Sequence, residues 1–137
     1  MKKAISIILI TLFATALFAF NVSAGNIADT KVLLDLPDNG WYAGPERTKE
    51  DDTSIWFDYY SGGLVKVQPQ GQRTNGYWYD TGPQRQTNML TSLYLINYIY
   101  ENHDAYPTSY NLDARLKLSA MAQPNFTAKY WWSPDSV

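Results

Sequence analysis

For most of its length the chain alternates hydrophobic and polar positions in short stretches separated by turn residues. Residues 29–36 (Asp-Thr-Lys-Val-Leu-Leu-Asp-Leu) form a short apolar run closed by Pro37-Asp38-Asn39-Gly40, which predicts a strand running into a tight reversal. Residues 44–53 hold Pro45 and the run Lys49-Glu50-Asp51-Asp52 and read as a solvated loop. Over 54–60, Ile55, Phe57 and Tyr59 alternate with Trp56, Asp58 and Tyr60, giving one face for a core and a second, aromatic face able to meet water. Ser61-Gly62-Gly63 supply the backbone freedom of a hairpin turn, and 64–68 alternates again, so 54–68 predicts one antiparallel hairpin. A polar loop over 69–76 then leads to a short, β-prone fourth strand at Tyr77-Trp78-Tyr79.

The period changes after Thr81. Thr81-Gly82-Pro83-Gln84 sets a hydroxyl residue before a Gln three positions on, with Pro just inside, the pattern that satisfies the free amides of a helix start. Met89, Leu93, Ile96 and Tyr100 recur at helical spacings while Leu90, Tyr94, Leu95 and Ile99 widen the apolar stripe, which predicts one helix from about Pro83 to near Asn102. Over 111–122, Leu112, Ala114, Leu116, Leu118 and Ala120 alternate with Asp113, Arg115, Lys117 and Ser119, a strand with one buried face. Gln123-Pro124-Asn125 reverses it into a final strand over 126–132, with Phe126, Ala128, Tyr130 and Trp132 inward and Thr127, Lys129 and Trp131 outward. The expected class is α+β: a small antiparallel sheet with one helix between strands four and five. The last strand, aromatic and poor in charge, is expected at a sheet edge, where it would favour a partner chain and so a homo-oligomer.

Ahead of these elements, Met1-Lys2-Lys3 precedes an apolar run over 4–20 and then Asn21-Val22-Ser23-Ala24. Positive charge, apolar stretch and small-residue site in that order predict a cleavable signal peptide over 1–24, and hence a secreted or periplasmic protein with one α+β domain over 25–137. No later run is long and apolar enough to span a bilayer, so no membrane span is expected after cleavage. The chain has no cysteine, so packing of aromatic and aliphatic groups must supply the stability that small exported domains often take from disulfides. Losing Lys2 and Lys3 moves the net charge from −2 to −4, with no basic block, which argues against a nucleic-acid partner.

Nucleophilic catalysis lacks its parts: there is one histidine, no cysteine, and no serine in a Gly-x-Ser-x-Gly setting. His103 beside Asp104 reads as a helix-end or surface pair, and no second His or Cys completes a zinc set, so no metal or cofactor is expected. Glu50, Asp51 and Asp52 are hard oxygen ligands that suit calcium, yet their spacing is not that of an EF-hand, and a solvated acidic loop accounts for them more simply. The chain is therefore read as a non-enzyme. A carboxylate-dependent hydrolase stays as an alternative, because thirteen acidic residues always offer pairs and only geometry selects among them.

Composition points instead to recognition. Five Trp and eleven Tyr follow residue 24, against only Phe57 and Phe126; Tyr and Trp are favoured over Phe where one edge must meet water or a partner. Tyr59, Tyr130 and Trp132 fall on inward positions. Trp41, Tyr42, Trp56, Tyr60 and Trp131 fall on a turn or an outer face and form the candidate ligand-binding set. A pyranose ring lays its apolar face on such side chains while nearby Asp, Asn and Gln bind its hydroxyls.

The early apolar strand, the Ser-Gly-Gly turn at 61–63, the Tyr-Trp-Tyr cluster at 77–79 and a helix from about Pro83 ahead of the closing strands give a layout that resembles the binding subunits of five-B-subunit bacterial toxins, nearest the pertussis and subtilase cytotoxin branch. The resemblance implies an OB-like barrel with a helix, assembly into rings and binding of cell-surface glycans. The chain departs from that family in lacking its disulfide and in the long stretch from Glu101 to Tyr110, and the layout is equally that of other small exported bacterial proteins of unknown role. The alternative partner is a protein: an immunity or inhibitor protein would set the acidic loop, 46–53, against a basic cleft.

Overall fold

The computed structural model describes residues 28–136; the expected leader, 1–24, lies outside the described residues. The strands are β1 (Thr30–Leu36), β2 (Tyr42–Ala43), β3 (Arg47–Thr48), β4 (Ile55–Ser61), β5 (Val65–Arg73), β6 (Trp78–Asp80), β7 (Arg85–Thr87) and β8 (Thr91–Leu95), followed by helix α1 (Ile99–Ala105) and then β9 (Tyr110–Ala120) and β10 (Phe126–Ser133). A four-stranded sheet runs in the order β1-β10-β4-β8, and a six-stranded sheet in the order β2-β9-β5-β6, with β3 also on β9 and β7 also on β5. Every pairing is antiparallel. The sheets do not close into a barrel; the protein is sheet-dominated, with a single short helix among the described residues.

The alternation of the strands explains this arrangement. Ile55, Phe57 and Tyr59 of β4 and Tyr130 and Trp132 of β10 are fully buried, and they share one hydrophobic core with Val65 and Val67 of β5 and Leu116 and Leu118 of β9. Two sheets that each hide one apolar face thus hide them against each other. The rings of Phe57 and Tyr130 sit 5.2 Å apart within it. Burial pushes the Tyr59 phenol up to about 12 and that of Tyr130 higher still, so both stay neutral in the core. At one end, Ile99 of α1 packs over Gly71 of β5, where a side chain would come 3.0 Å from the Tyr79 hydroxyl and 3.1 Å from Ile99 itself.

Four expectations are corrected. The long helix over 83–102 is replaced by β7, β8 and a helix confined to Ile99–Ala105, which lies between the eighth and ninth strands. Thr81 caps no helix: its amide donates to the Pro69 carbonyl and its carbonyl accepts from Tyr98. Met89 and Leu90 occupy a turn, with Leu90 at φ 64, and Leu93 and Leu95 then face inward as strand residues opposite Phe57 and Ile55. The final strand is not an edge: β10 lies between β1 and β4, which removes the edge argument for a partner chain. Residues 69–73 continue β5 rather than forming a loop, and 44–53 contains β3 and a wholly buried Lys49.

Candidate functional site

On the outer face of the four-stranded sheet, β10 presents Lys129 and Trp131, and β4 presents Trp56, Asp58 and Tyr60. Trp131 stands opposite Lys31 of β1 on one side and Asp58 on the other. The Lys31 ammonium lies 6.0 Å from the centre of its ring, the range of a cation–π contact. Asp58 is held by the Ser92 hydroxyl, which donates to its Oδ1 at 2.6 Å. Trp56 pairs across to Tyr94 of β8. A register shift at Lys129 and Tyr130 sets Ser61, rather than Tyr60, opposite Lys129. Three of the five sequence-nominated aromatics therefore share one solvent-facing surface, on the two interior strands of the sheet, and Trp131 is 37% exposed there. The sequence missed Tyr94, because the helical reading hid the alternation of β8.

Trp41 and Tyr42 lie elsewhere. Tyr42, on β2, is half-buried against the core, and desolvation together with a hydrogen bond to Asp38 pushes its phenol up. Trp41 meets the outer face of the six-stranded sheet, where the Lys117 ammonium is 4.8 Å from its ring centre. Lys117 Nζ pairs with Asp80 Oδ1 at 2.8 Å, and Gln70 donates to the same oxygen at 2.9 Å while accepting from Arg115 Nε at 3.0 Å. Arg115 in turn stacks on Trp78, 4.1 Å from its ring centre. Partial burial alone would raise the Asp80 carboxyl, but the hydrogen bonds from Lys117 and Gln70 and the Lys117 charge hold it below the usual carboxylate range. This network joins β5, β6 and β9; only Trp41 of its members was nominated from sequence, since the others meet through strand pairing distant in the chain.

The acidic loop is anchored. Lys49 and Asp135 are both wholly buried, with Lys49 Nζ 3.1 Å from Asp135 Oδ1. Lys49 Nζ also donates to the carbonyls of Thr53 at 2.5 Å and Pro134 at 2.8 Å, which uses all three of its N–H groups. Asp135 accepts the amides of Glu50 at 3.1 Å and Asp51 at 3.2 Å. Desolvation raises the Asp51 carboxyl, but bonds from the Thr53 hydroxyl and amide, with Asp135 and Lys49 nearby, bring it below its usual range. Glu46, Glu50 and Asp52 remain exposed on this fixed loop.

His103 lies in the last turn of α1, its Nδ1–H donating to the Tyr110 carbonyl at 2.7 Å, a structural bond that ties the helix to β9. Among the described residues no group of three or more His, Cys, Asp or Glu side chains could hold a metal ion, and no helix is long and apolar enough to cross a membrane. One open concavity, of about 350 Å³, is lined by residues of the β1 and β10 ends, including Asp35 and Phe126.

A family model described as "Protein of unknown function (DUF2712)" matches residues 19–136. No curated protein matches the chain. Among solved structures, one titled "Crystal structure of PirA" is similar at 11% sequence identity and a TM-score of 0.46, covering 82% of this chain and 97% of that one.

Proposed function

We propose that this chain, which belongs to the DUF2712 family, is an exported, non-catalytic binding protein that recognises glycans on the outer face of its four-stranded sheet. The observation that supports the reading is the placement of Trp56, Tyr60 and Trp131 on one face of the two interior strands, with Asp58 and Lys129 among them. Interior strands hold side chains in fixed positions, which lowers the ordering cost of binding. The indole of Trp131 offers a flat apolar surface for a sugar ring, and Asp58, oriented by Ser92, accepts hydroxyl protons beside it. Trp41, on the opposite sheet, and Tyr42, against the core, fall outside this surface.

A glycan array with the wild type and the Trp131→Ala and Trp56→Ala variants tests the reading. Each substitution is expected to weaken binding at least tenfold, about 1.4 kcal/mol; unchanged binding in both removes the site. The finer version, a subunit that assembles into a ring as toxin B subunits do, requires an oligomeric mass by light scattering, and a clean monomer removes it.

A second reading, an inhibitor or immunity protein, is favoured by the anchoring of the acidic loop. The amides of Glu50 and Asp51 are bonded to Asp135, so the neighbouring carboxylates are presented in a fixed array, suited to a basic cleft. An empty array together with co-purification of a basic protein, abolished by Glu50→Lys with Asp52→Lys, selects this reading. Turnover of a sugar polymer would instead select a hydrolase.

A further inference from the structure

The pairing registers bring three turns to one end of the molecule. Lys129 of β10 stands opposite Ser61, so the turn 61–64 lies beside the start of β10. Val65 stands opposite both Thr87 and Ala120, so the turns 88–90 and 121–125 lie beside it. The Met121 amide donates to the Leu64 carbonyl at 3.0 Å, and residues 62–64 line one depression with Asn88 and Met89. None of these twelve positions carries a charge. Leu64 is 40% exposed, Met89 54% and Leu90 83%. Leu90 also holds the left-handed conformation, φ 64, that disfavours a leucine; strain of this kind gathers at functional segments.

Just behind the tip stand Lys129, level with Ser61, Lys66, level with Gln86 and Ser119, and Arg85, level with Val67. Tyr60 adjoins Ser61, and the Phe126 ring packs against the turn at Gly62 and Gly63. Acidic groups near this end are Asp35, which accepts from Thr127, Asp38 in the turn 37–40, which accepts from the Gly40 amide, and Asp58, three positions behind Ser61 on β4, which accepts from the Ser92 hydroxyl. The acidic loop 46–53 lies at the opposite end, since Arg47 and Thr48 pair with Ala114 and Asp113 of β9, whose other terminus meets the tip.

We infer that this uncharged end is a membrane-docking site: Leu64, Met89 and Leu90 enter the boundary between headgroups and acyl chains of an anionic bilayer, and Lys66, Arg85 and Lys129 meet the phosphates. Apolar burial supplies the adhesion, the basic residues behind it select anionic lipid, and the acidic end points away from the surface. Tyr60 and Phe126 fall where aromatic rings settle at an interface. A lipid surface is favoured over a protein partner because the exposed Leu64, Met89 and Leu90 stand on uncharged turns ahead of the basic Lys66, Arg85 and Lys129.

The test is co-sedimentation of the chain from residue 25, which holds every described element but not the apolar leader that would itself bind lipid, with vesicles of phosphatidylcholine alone or with phosphatidylglycerol added. Binding is expected to be at least tenfold stronger with phosphatidylglycerol, to weaken with salt, and to fall at least tenfold in Met89→Glu with Leu90→Glu. Because both side chains are exposed, this variant keeps the wild-type circular dichroism and unfolding midpoint. Lys66→Glu with Lys129→Glu is expected to erase the preference for anionic lipid. Absence of vesicle binding, or binding indifferent to the Met89 and Leu90 changes, overturns the inference. So does a concentration-dependent dimer that the same changes dissolve, which would make the tip a contact between copies.

Discussion

The two ends of the molecule break the rule that charge lies outside and apolar groups inside, and they break it in opposite senses. At the end that holds α1 and the acidic loop, a lysine and an aspartate are fully buried. At the other end, a methionine and two leucines stand in water. The buried charges have their partners within the chain: every N–H of Lys49 is used, and Asp135 accepts two backbone amides besides. The exposed leucines and methionine have no such internal answer, and Leu90 is held in a disfavoured conformation as well. The first exception is closed and structural; the second is open. A departure from ordinary burial that the fold itself satisfies speaks of stability, whereas one left open marks the surface where a partner is to be sought.

The contrast is broken most strongly at the closed end. Lys49→Ala removes the buried ammonium that pairs with Asp135 at 3.1 Å and is expected to cost about 3–5 kcal/mol in urea unfolding. Lys49→Met combined with Asp135→Leu removes both charges and is expected to recover part of that loss, the Glu50 and Asp51 amides still lacking their acceptor. A single substitution costing under about 1 kcal/mol, the range of an exposed pair, would show that the clasp does not stabilise the fold.

Acid titration sharpens the same contrast at intermediate size. The carboxyls of Asp51 and Asp80 are held below their usual range by their hydrogen bonds and the nearby lysines, which outweigh desolvation. A group whose carboxyl is depressed on folding binds its proton less readily in the folded state than in the unfolded one. Its contribution is therefore present above the ordinary carboxylate value, about 4, and is lost as pH falls through the lower folded value. The unfolding midpoint is expected to fall on acidification below about pH 4, and Asp51→Asn to flatten part of that fall. The Met89→Glu and Leu90→Glu pair, which adds only exposed carboxylates at the far end, is expected to leave the slope contributed by Asp51 in place.

The smallest effect belongs to the open end. Leu90→Gly relieves the left-handed backbone while giving up little buried surface, and is expected to raise stability by about 0.5–1 kcal/mol in the same urea series. Vesicle binding is expected to weaken in that variant. A protein made more stable and less adhesive by one change would separate the strain at Leu90 from any need of the fold.

The sequence made β4, the first part of β5, β9 and β10 legible through their alternation, as Ile55, Phe57 and Tyr59 show, and β1 as an apolar run closed by a turn. It failed over 85–95, where two periods coexist. Met89, Leu93, Ile96 and Tyr100 fit a helical stripe, while Leu93 and Leu95 fit a strand equally well. Pairing with β4, tens of residues away in the chain, decides between them. Lys49 was lost in a run of charges because its acceptor, Asp135, lies 86 residues further on. For the candidate surface, alternation assigned Trp56, Tyr60 and Trp131 to an outer face but carried no information on which sheet Trp41 would meet. Tyr94 could not be added to the group while its segment was read as a helix.

The position of β10 has a consequence for the order in which the molecule can be made. This strand, Phe126–Ser133, lies between β1 and β4, so both neighbours keep an open hydrogen-bonding edge until the last part of the described chain arrives. Lys49 likewise waits for Asp135. A chain threaded from its N-terminus through a ribosome or a translocation channel cannot complete the four-stranded sheet or close the clasp while residues 126–135 are still inside. Final folding thus waits until residues 126–135 have emerged, and contacts this distant in sequence set a slow pace for it, on the order of milliseconds to seconds.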